Sequence, residues 1–249
     1  DGYFLMMLNP PGGKEDRDLV GSAEPMTVLV MADTSGSMTG TPRENQIRFI
    51  EALFSSLSEK DRINLMTCDV ASRWAFPQPV ANTVKSRDEM LLFLQKRHPL
   101  GWSDLDRAFA AALDQASPGA HIIYVGDGAV TTGDADPVSF SKRLKKMFED
   151  RGAKGTFHAI AAGSTFESGV LRTVGSLGGG SWRAIQGETD SAQVAHQLLK
   201  EIASPGLKGA RIEFSGFTAA AVYPETLPNL PEGSQQIILG RYDPRQGKA

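Results

Sequence analysis

Between Met26 and Asp33 the chain reads MTVLVMAD, a continuous apolar and β-branched run without polar alternation, which predicts a strand covered on both faces of a sheet. The period then changes. Pro42 is placed to open a helix, and Ile47, Ile50, Leu53, Phe54 and Leu57 recur at three- and four-residue steps as its core-facing stripe. RINLMTCD (62–69) predicts the next strand, and SRWAF (72–76), stopped by Pro77 and Pro79, a short edge strand in a hairpin with it. SRDEMLLFLQK from Ser86 has a cap-like Ser with an acid three residues on, a helix-opening pattern. DLDRAFAAALDQA (104–116) predicts an amphipathic helix, and HIIYVGDG (121–128) a second buried strand that again ends on an acid. Beyond it come a helix over 137–150, a strand over 155–163, a helix over 167–177, a short strand near GSWRAI and a helix over 189–203. Strands alternating with helices predict an α/β fold, doubly wound around a mostly parallel sheet with one antiparallel edge strand.

The ends depart from this alternation. YFLMML (3–8) is strand-like and is followed by the Pro/Gly/charge linker NPPGGKEDRD, while residues 208–249 contain strand-like KGARIEF and QQIILGRY with four prolines and no helical period. Both ends are expected to supply small flanking β-strands. The expected divisions are 1–23, 24–205 and 206–249.

Composition narrows the class. With 249 residues the chain can bury a full core, and 41% hydrophobic with 22% charged residues is ordinary for a folded globular protein. Net charge is −3 and the longest basic run is KRLKK on a helix face, so no nucleic-acid footprint is present. A single cysteine, Cys68, excludes an internal disulfide framework and a zinc site of several thiolates; it is expected to be a small core residue. No apolar run approaches the ~20 residues that cross a bilayer. The start, DGYFLMMLNPP, has neither an initiator Met nor a signal-peptide pattern, so an excised piece of a longer protein is expected.

Ligands of open α/β sheets collect at the carboxyl ends of the strands. Three loops are predicted to meet there: DTSGSM after the first buried strand, GWSD before the 104–116 helix, and GDGAV after the second buried strand. They carry Asp33, Ser35, Ser37, Ser103 and Asp127. All five donors are oxygen, a hard set that suits Mg²⁺, with Mn²⁺ or Ca²⁺ as alternates, rather than zinc or copper. Mg²⁺ takes six ligands, so three hydroxyls and two aspartates acting partly through water leave a position for an outside carboxylate.

DTSGS, GWSD and GDG in this order resemble the metal-ion-dependent adhesion site of the von Willebrand factor type A family. The match to its D-x-S-x-S motif is complete, and Ser103 stands where the family usually has Thr. The likeness covers residues 26–203. It implies a Rossmann-like type A fold, a metal held by Asp33, Ser35, Ser37, Ser103 and Asp127, and a protein partner whose Glu or Asp completes the ion's shell. DGYFLMMLNPP and VYPETLPNLPEGSQQIILGRYDP are similar to the flanks of this domain in inter-alpha-trypsin inhibitor heavy chains and their bacterial relatives. That closer likeness implies that residues 1–23 hold the last strand of a preceding vault/inter-alpha-trypsin domain, paired with the C-terminal strands. It also implies an extracytoplasmic or secreted setting. Integrin β-type domains carry a second acidic pair after the serines; Met38, Thr39 and Gly40 stand there instead, so an adjacent regulatory metal is not expected.

Plainer readings compete residue by residue. Asp33, Ser35 and Ser37 alone could form a turn and helix cap. Asp104 and Asp106 are expected to be first-turn acids facing the helix dipole, with a supporting role beside the metal open to Asp104. His121, His158 and His196 fit packing and hydrogen bonding, whereas His98 in RHPLGWS is the one histidine that could approach the metal mouth. Trp102 suits either a rim for partners or packing of its loop. VGSLGGGS (174–181) runs from helix to strand, the reverse of a phosphate loop, and is not read as one. The reading reached is a non-enzymatic, metal-dependent protein-binding or adhesion module without contact to nucleic acid or membrane. Its rivals are a metal-dependent hydrolase or phosphoryl-transfer enzyme, which lacks a convincing base, and a structural spacer with a vestigial site.

Overall fold

In the computed structural model, which describes residues 2–9, 25–185, 190–203, 206–207, 210–215, 219–224, 227, 229–231 and 235–242, the strand–helix alternation takes this form. Strands β1 (Gly2–Leu8) and β2 (Thr27–Asp33) are followed by α1 (Thr41–Ser56), then β3 (Arg62–Cys68), β4 (Ser72–Trp74) and β5 (Val80–Ala81). Helices α2 (Val84–Gln95) and α3 (Leu105–Gln115) lead to β6 (His121–Gly126), α4 (Pro137–Asp150), β7 (Thr156–Ala161), α5 (Ser168–Ser176), β8 (Trp182–Ala184) and α6 (Ser191–Ala203). The C-terminal strands are β9 (Gly206–Leu207), β10 (Ala219–Tyr223), β11 (Leu230–Pro231) and β12 (Gln236–Tyr242). The chain divides into residues 23–200 and residues 1–22 with 201–249.

The first of these units is a sheet in the order β4-β3-β2-β6-β7-β8, parallel from β3 to β8. Two short strands, not one, run antiparallel on the β3 edge: β4 pairs its end and β5 its start. Every residue of β2 after Thr27 and all of β6 are buried, as a central strand requires. On one face Leu29 and Met31 join Phe109, Phe140, Leu144, Phe157 and Val170 in one core; Phe109 holds Tyr124, Phe140 and Phe157 around it at 5.7, 6.1 and 6.2 Å between ring centres. From β2 the chain winds through α1 to one side, and from β6 through α4 to the other. The crevice where such windings diverge therefore lies at the carboxyl ends of β2 and β6.

Local differences from the predicted pattern have identifiable causes. In α1 the buried side chains are Gln46, Phe49, Ile50, Leu53 and Phe54, while Ile47 is only half-buried. Gln46 goes inward because its amide donates to the carbonyls of Asp33 (2.9 Å) and Val125 (2.7 Å), satisfying acceptors at the ends of β2 and β6. Helix α2 starts before Ser86: Thr83 is its cap, and Ser86 is the reciprocating third residue of the capping box. The glycines of VGSLGGGS serve close packing; a Cβ on Gly180 would fall 1.6 Å from the Phe157 carbonyl oxygen. Cys68 is a core residue whose thiol burial pushes well above its ordinary pKa, helped by Asp33 and Asp69.

His121 and His158 meet across β6 and β7, with Nδ1 of the first 3.2 Å from Nε2 of the second. The Ser181 amide donates to His158 Nδ1 at 3.3 Å, which leaves the His158 proton on Nε2, aimed at His121. Burial, with His121 and Arg183 adding to it, pushes the His158 pKa down to about 3. The unfolded chain takes this proton near pH 6.5 and the folded protein near 3, so the stability present above 6.5 is lost as pH falls through that window. Wild type minus His158→Gln is expected to show this slope, at most about 1.4 kcal/mol per pH unit, in urea unfolding between pH 7 and 4. Parallel pH profiles for the two proteins would refute it.

In the other unit β12 is central, with β1 and β10 on its edges. β1 pairs β12 antiparallel from Gly2↔Tyr242 to Leu8↔Gln236. KGARIEF forms no strand over its described residues 210–214, and residues 208–209 lie outside the described ones. Both edges of β12 are already taken, and the short ladder found nearby joins β9 to β11. The linker NPPGGKEDRD beyond Asn9 also lies outside the described residues.

Candidate metal centre

β2 delivers Asp33 fully buried to the carboxyl edge of the sheet. Its Oδ1 accepts the Ser35 amide at 2.9 Å, so the chain turns back over the carboxylate, and the Ser35 and Ser37 hydroxyls end 3.1 Å apart. Ser35 is buried and Ser37 exposed, the order expected of a loop that opens to solvent.

The second loop is clipped to the first through backbone. The Gly36 amide donates to the Gly101 carbonyl (3.0 Å), the Leu100 amide to Thr34 (3.2 Å) and the Asp104 amide to Asp69 (2.9 Å). Under these clips sits an ion pair that sequence reading missed. Arg97 donates to buried Asp69 from Nε (2.8 Å) and Nη2 (2.7 Å), and the Thr34 hydroxyl donates to the same carboxylate at 2.7 Å. The signal was available: CD at 68–69 ends a buried strand on an acid, as AD does at 32–33. Ser103 is held by Thr131, whose hydroxyl accepts the Ser103 amide at 2.6 Å. The Ser103 Oγ is buried and has no hydrogen-bond partner.

The third loop reaches Asp33 through Tyr124. The phenol donates to Asp33 Oδ2 at 2.7 Å and accepts the Gly128 amide at 3.1 Å, bridging β2 to the GDG turn. This bridge requires Gly126, since a Cβ there would lie 2.4 Å from the Tyr124 hydroxyl and 2.5 Å from the Asp33 Cβ. Asp127, half-buried, accepts the Ala129 amide at 2.9 Å. Burial first, then the charge of Asp127, raises the Asp33 pKa to about 6, against the Tyr124 and Ser35 hydrogen bonds that lower it.

Of the other residues singled out, Asp104 caps α3 by accepting the Arg107 amide (3.0 Å), and Asp106 pairs with Arg143 (2.8 Å). His98 is exposed; its neighbour Arg97 is the side chain that supports the loops. His196 meets the Ser56 hydroxyl at 3.0 Å. Among the described residues no three His, Cys, Asp or Glu side chains are gathered for a metal. The donors at this edge are carboxylates and hydroxyls, with Asp33 carrying a charge that its surroundings disfavour and Ser103 an oxygen without a partner.

Residues 26–184 match the family model described as von Willebrand factor type A domain. Over 98% of its length the chain is 25% identical to human inter-alpha-trypsin inhibitor heavy chain H6, and over 99% it is 21% identical to heavy chain H2 of Sus scrofa. It spans only 19% and 26% of those relatives. Among solved structures it resembles a von Willebrand factor type A protein from Catenulispora acidiphila (TM-score 0.64, 15% identity, 87% of this chain and 57% of that one). It also resembles proximal thread matrix protein 1 from the mussel byssus, described with a zinc-occupied MIDAS motif (TM-score 0.53, 14% identity, 72% and 48%). At these identities the structural likeness concerns the fold alone.

Proposed function

Because the chain belongs to the von Willebrand factor type A domain family, a family of protein-interaction and adhesion modules, we propose that its three carboxyl-edge loops hold a divalent cation for partner binding. Asp33, Ser35, Ser37, Ser103 and Asp127 are the ligands, directly or through water, and a Glu or Asp of the partner completes them. Mg²⁺ is the proposed ion, with Mn²⁺ and Ca²⁺ as substitutes. When bound, the ion supplies a positive centre that a carboxylate can ligate.

The observation that carries this reading is Ser103 Oγ, an oxygen buried at the loop junction without a hydrogen-bond partner. Leaving it so costs about 1–3 kcal/mol unless something else takes its lone pair. Tyr124 and the Ser35 amide orient the Asp33 carboxylate, and the Arg97–Asp69 pair fixes the loop bearing Ser103. Binding rather than catalysis is proposed because the family is one of protein-interaction modules. The same likeness to the heavy chains supports an extracytoplasmic setting and a first strand inherited from a preceding vault/inter-alpha-trypsin domain. No described helix is long and apolar enough to cross a membrane.

Calorimetric titration with Mn²⁺ tests the proposal. Wild type is expected to bind one ion, and Ser103→Ala to bind it about tenfold more weakly while melting no lower than wild type in EDTA. Absence of Mn²⁺ binding by wild type would overturn the reading. Equal affinity in Ser103→Ala would remove that residue from the ligand set.

A further inference from the structure

Three large apolar side chains stand in solvent beside the proposed cation centre: Leu100 is 71% exposed, Trp102 65% and Val70 50%. Single exposed apolar residues are common, but a group of them around one polar centre marks an interaction surface. These three are not on a loose loop. The backbone on either side is clipped by the Leu100–Thr34, Gly101–Gly36 and Asp104–Asp69 hydrogen bonds, and the next residue after Trp102 is the buried Ser103. Val70 flanks the same spot, its Cγ1 3.9 Å from where a Cβ on Gly101 would be. The backbone that turns Ser103 inward thus holds Leu100 and Trp102 outward.

Resting on the cation reading above, we propose that the partner segment carries one acidic side chain and, within one or two residues of it, a large apolar side chain that docks on Val70, Leu100 and Trp102. Charge complementarity assigns the acid to the cation. The nearby Arg97 guanidinium is committed to Asp69 through two nitrogens and is not free for a second acid. An apolar neighbour gains by covering Trp102 and Leu100, whereas a polyacidic segment would leave them wet.

The test uses three blocked tetrapeptides titrated in Mg²⁺ and followed by the Trp102 indole N–H in NMR: Gly-Phe-Glu-Gly, Gly-Ala-Glu-Gly and Gly-Phe-Gln-Gly. The Phe-Glu peptide is expected to bind about five- to tenfold tighter than Ala-Glu and to shift the Trp102 signal, and EDTA is expected to abolish its binding. Trp102→Ser should reduce the Phe-Glu peptide to the Ala-Glu level while leaving Mg²⁺ binding by calorimetry intact. Equal affinities for Phe-Glu and Ala-Glu, or Phe-Gln binding as tightly as Phe-Glu, would overturn the proposal with the cation site standing. So would Mg²⁺ binding without binding of any peptide, or Trp102-dependent self-association in sedimentation, which would make a second copy the occupant. If Mg²⁺ itself does not bind, the cation reading fails and this inference falls with it.

Discussion

In Asp33→Asn, Mn²⁺ affinity is expected to fall about a hundredfold or more, while the metal-free protein melts higher than wild type at pH 7. The two effects share one cause. Asp33 is fully buried, and burial together with Asp127 raises its pKa from 3.8 to about 6, so the folded protein binds this proton more tightly than the unfolded chain does. Its stabilising contribution is therefore complete below the unfolded pKa and lost as pH rises through about 6. At pH 7 the metal-free fold carries a disfavoured charge, which Asn removes, its oxygen keeping the Ser35 amide and its nitrogen donating to the Tyr124 oxygen in place of the acceptor there. The gain should shrink toward zero below about pH 4, where Asp33 is neutral in both states. Saturating Mn²⁺ should reverse the order, because a ligand that binds only the folded state stabilises wild type alone. A variant that binds Mn²⁺ like wild type would exclude Asp33 as a ligand, and one that melts lower in EDTA would refute the electrostatic argument.

Arg97→Met is expected to cost about 3 kcal/mol in chemical denaturation. Asp69 is 1% exposed and would keep the Thr34 hydroxyl and the Ala71 amide, but it would lose the guanidinium that balances its charge, and an unpaired buried charge is expensive. The figure sits at the low end for a broken buried pair because the Arg97 side chain is about one-third exposed (34%). Adding Asp69→Asn removes the stranded charge and should recover much of the loss, a coupling that a double-mutant cycle reads directly. Arg97→Lys should recover less, since an ammonium cannot reproduce the two-nitrogen fork. A loss below about 1 kcal/mol would show that water reaches Asp69 and that the pair does not fix the loop.

How much of this was readable in advance depended on what periodicity reports. Thr27–Asp33 and His121–Gly126 were legible because continuous apolar runs leave little choice of element, and Pro137–Asp150 was expected over the same residues. The five proposed ligands could be singled out because they lie in short, recognisable loops, four of them at or just after the ends of β2 and β6 and Ser103 just before α3. What escaped was the support beneath them. Tyr124 reads as one more apolar residue of HIIYV, and only its position two residues before Gly126, on the same face of the strand, lets its hydroxyl reach Asp33. Gln46 was hidden within an apolar stripe, and Arg97 stands in RHPLGWS without a pattern of its own. Burial of a polar group is decided by a partner distant in the chain, 91 residues away for Tyr124 and 79 for Gln46, and local pattern carries no trace of it.

The antiparallel ladder between the first and last described strands has a mechanical meaning. Gly2 and Tyr242 are paired at one end, and Leu8 and Gln236 at the other, from which the chain leads to everything between. Tension applied at Gly2 and Tyr242 acts along the cross-strand hydrogen bonds and meets them one registered pair at a time, an unzipping rather than a shearing load. The ladder therefore opens before pull is transmitted through Leu8 and Gln236 to the intervening chain. It acts as a fuse in series with the intervening chain, which carries no load until the ladder has parted.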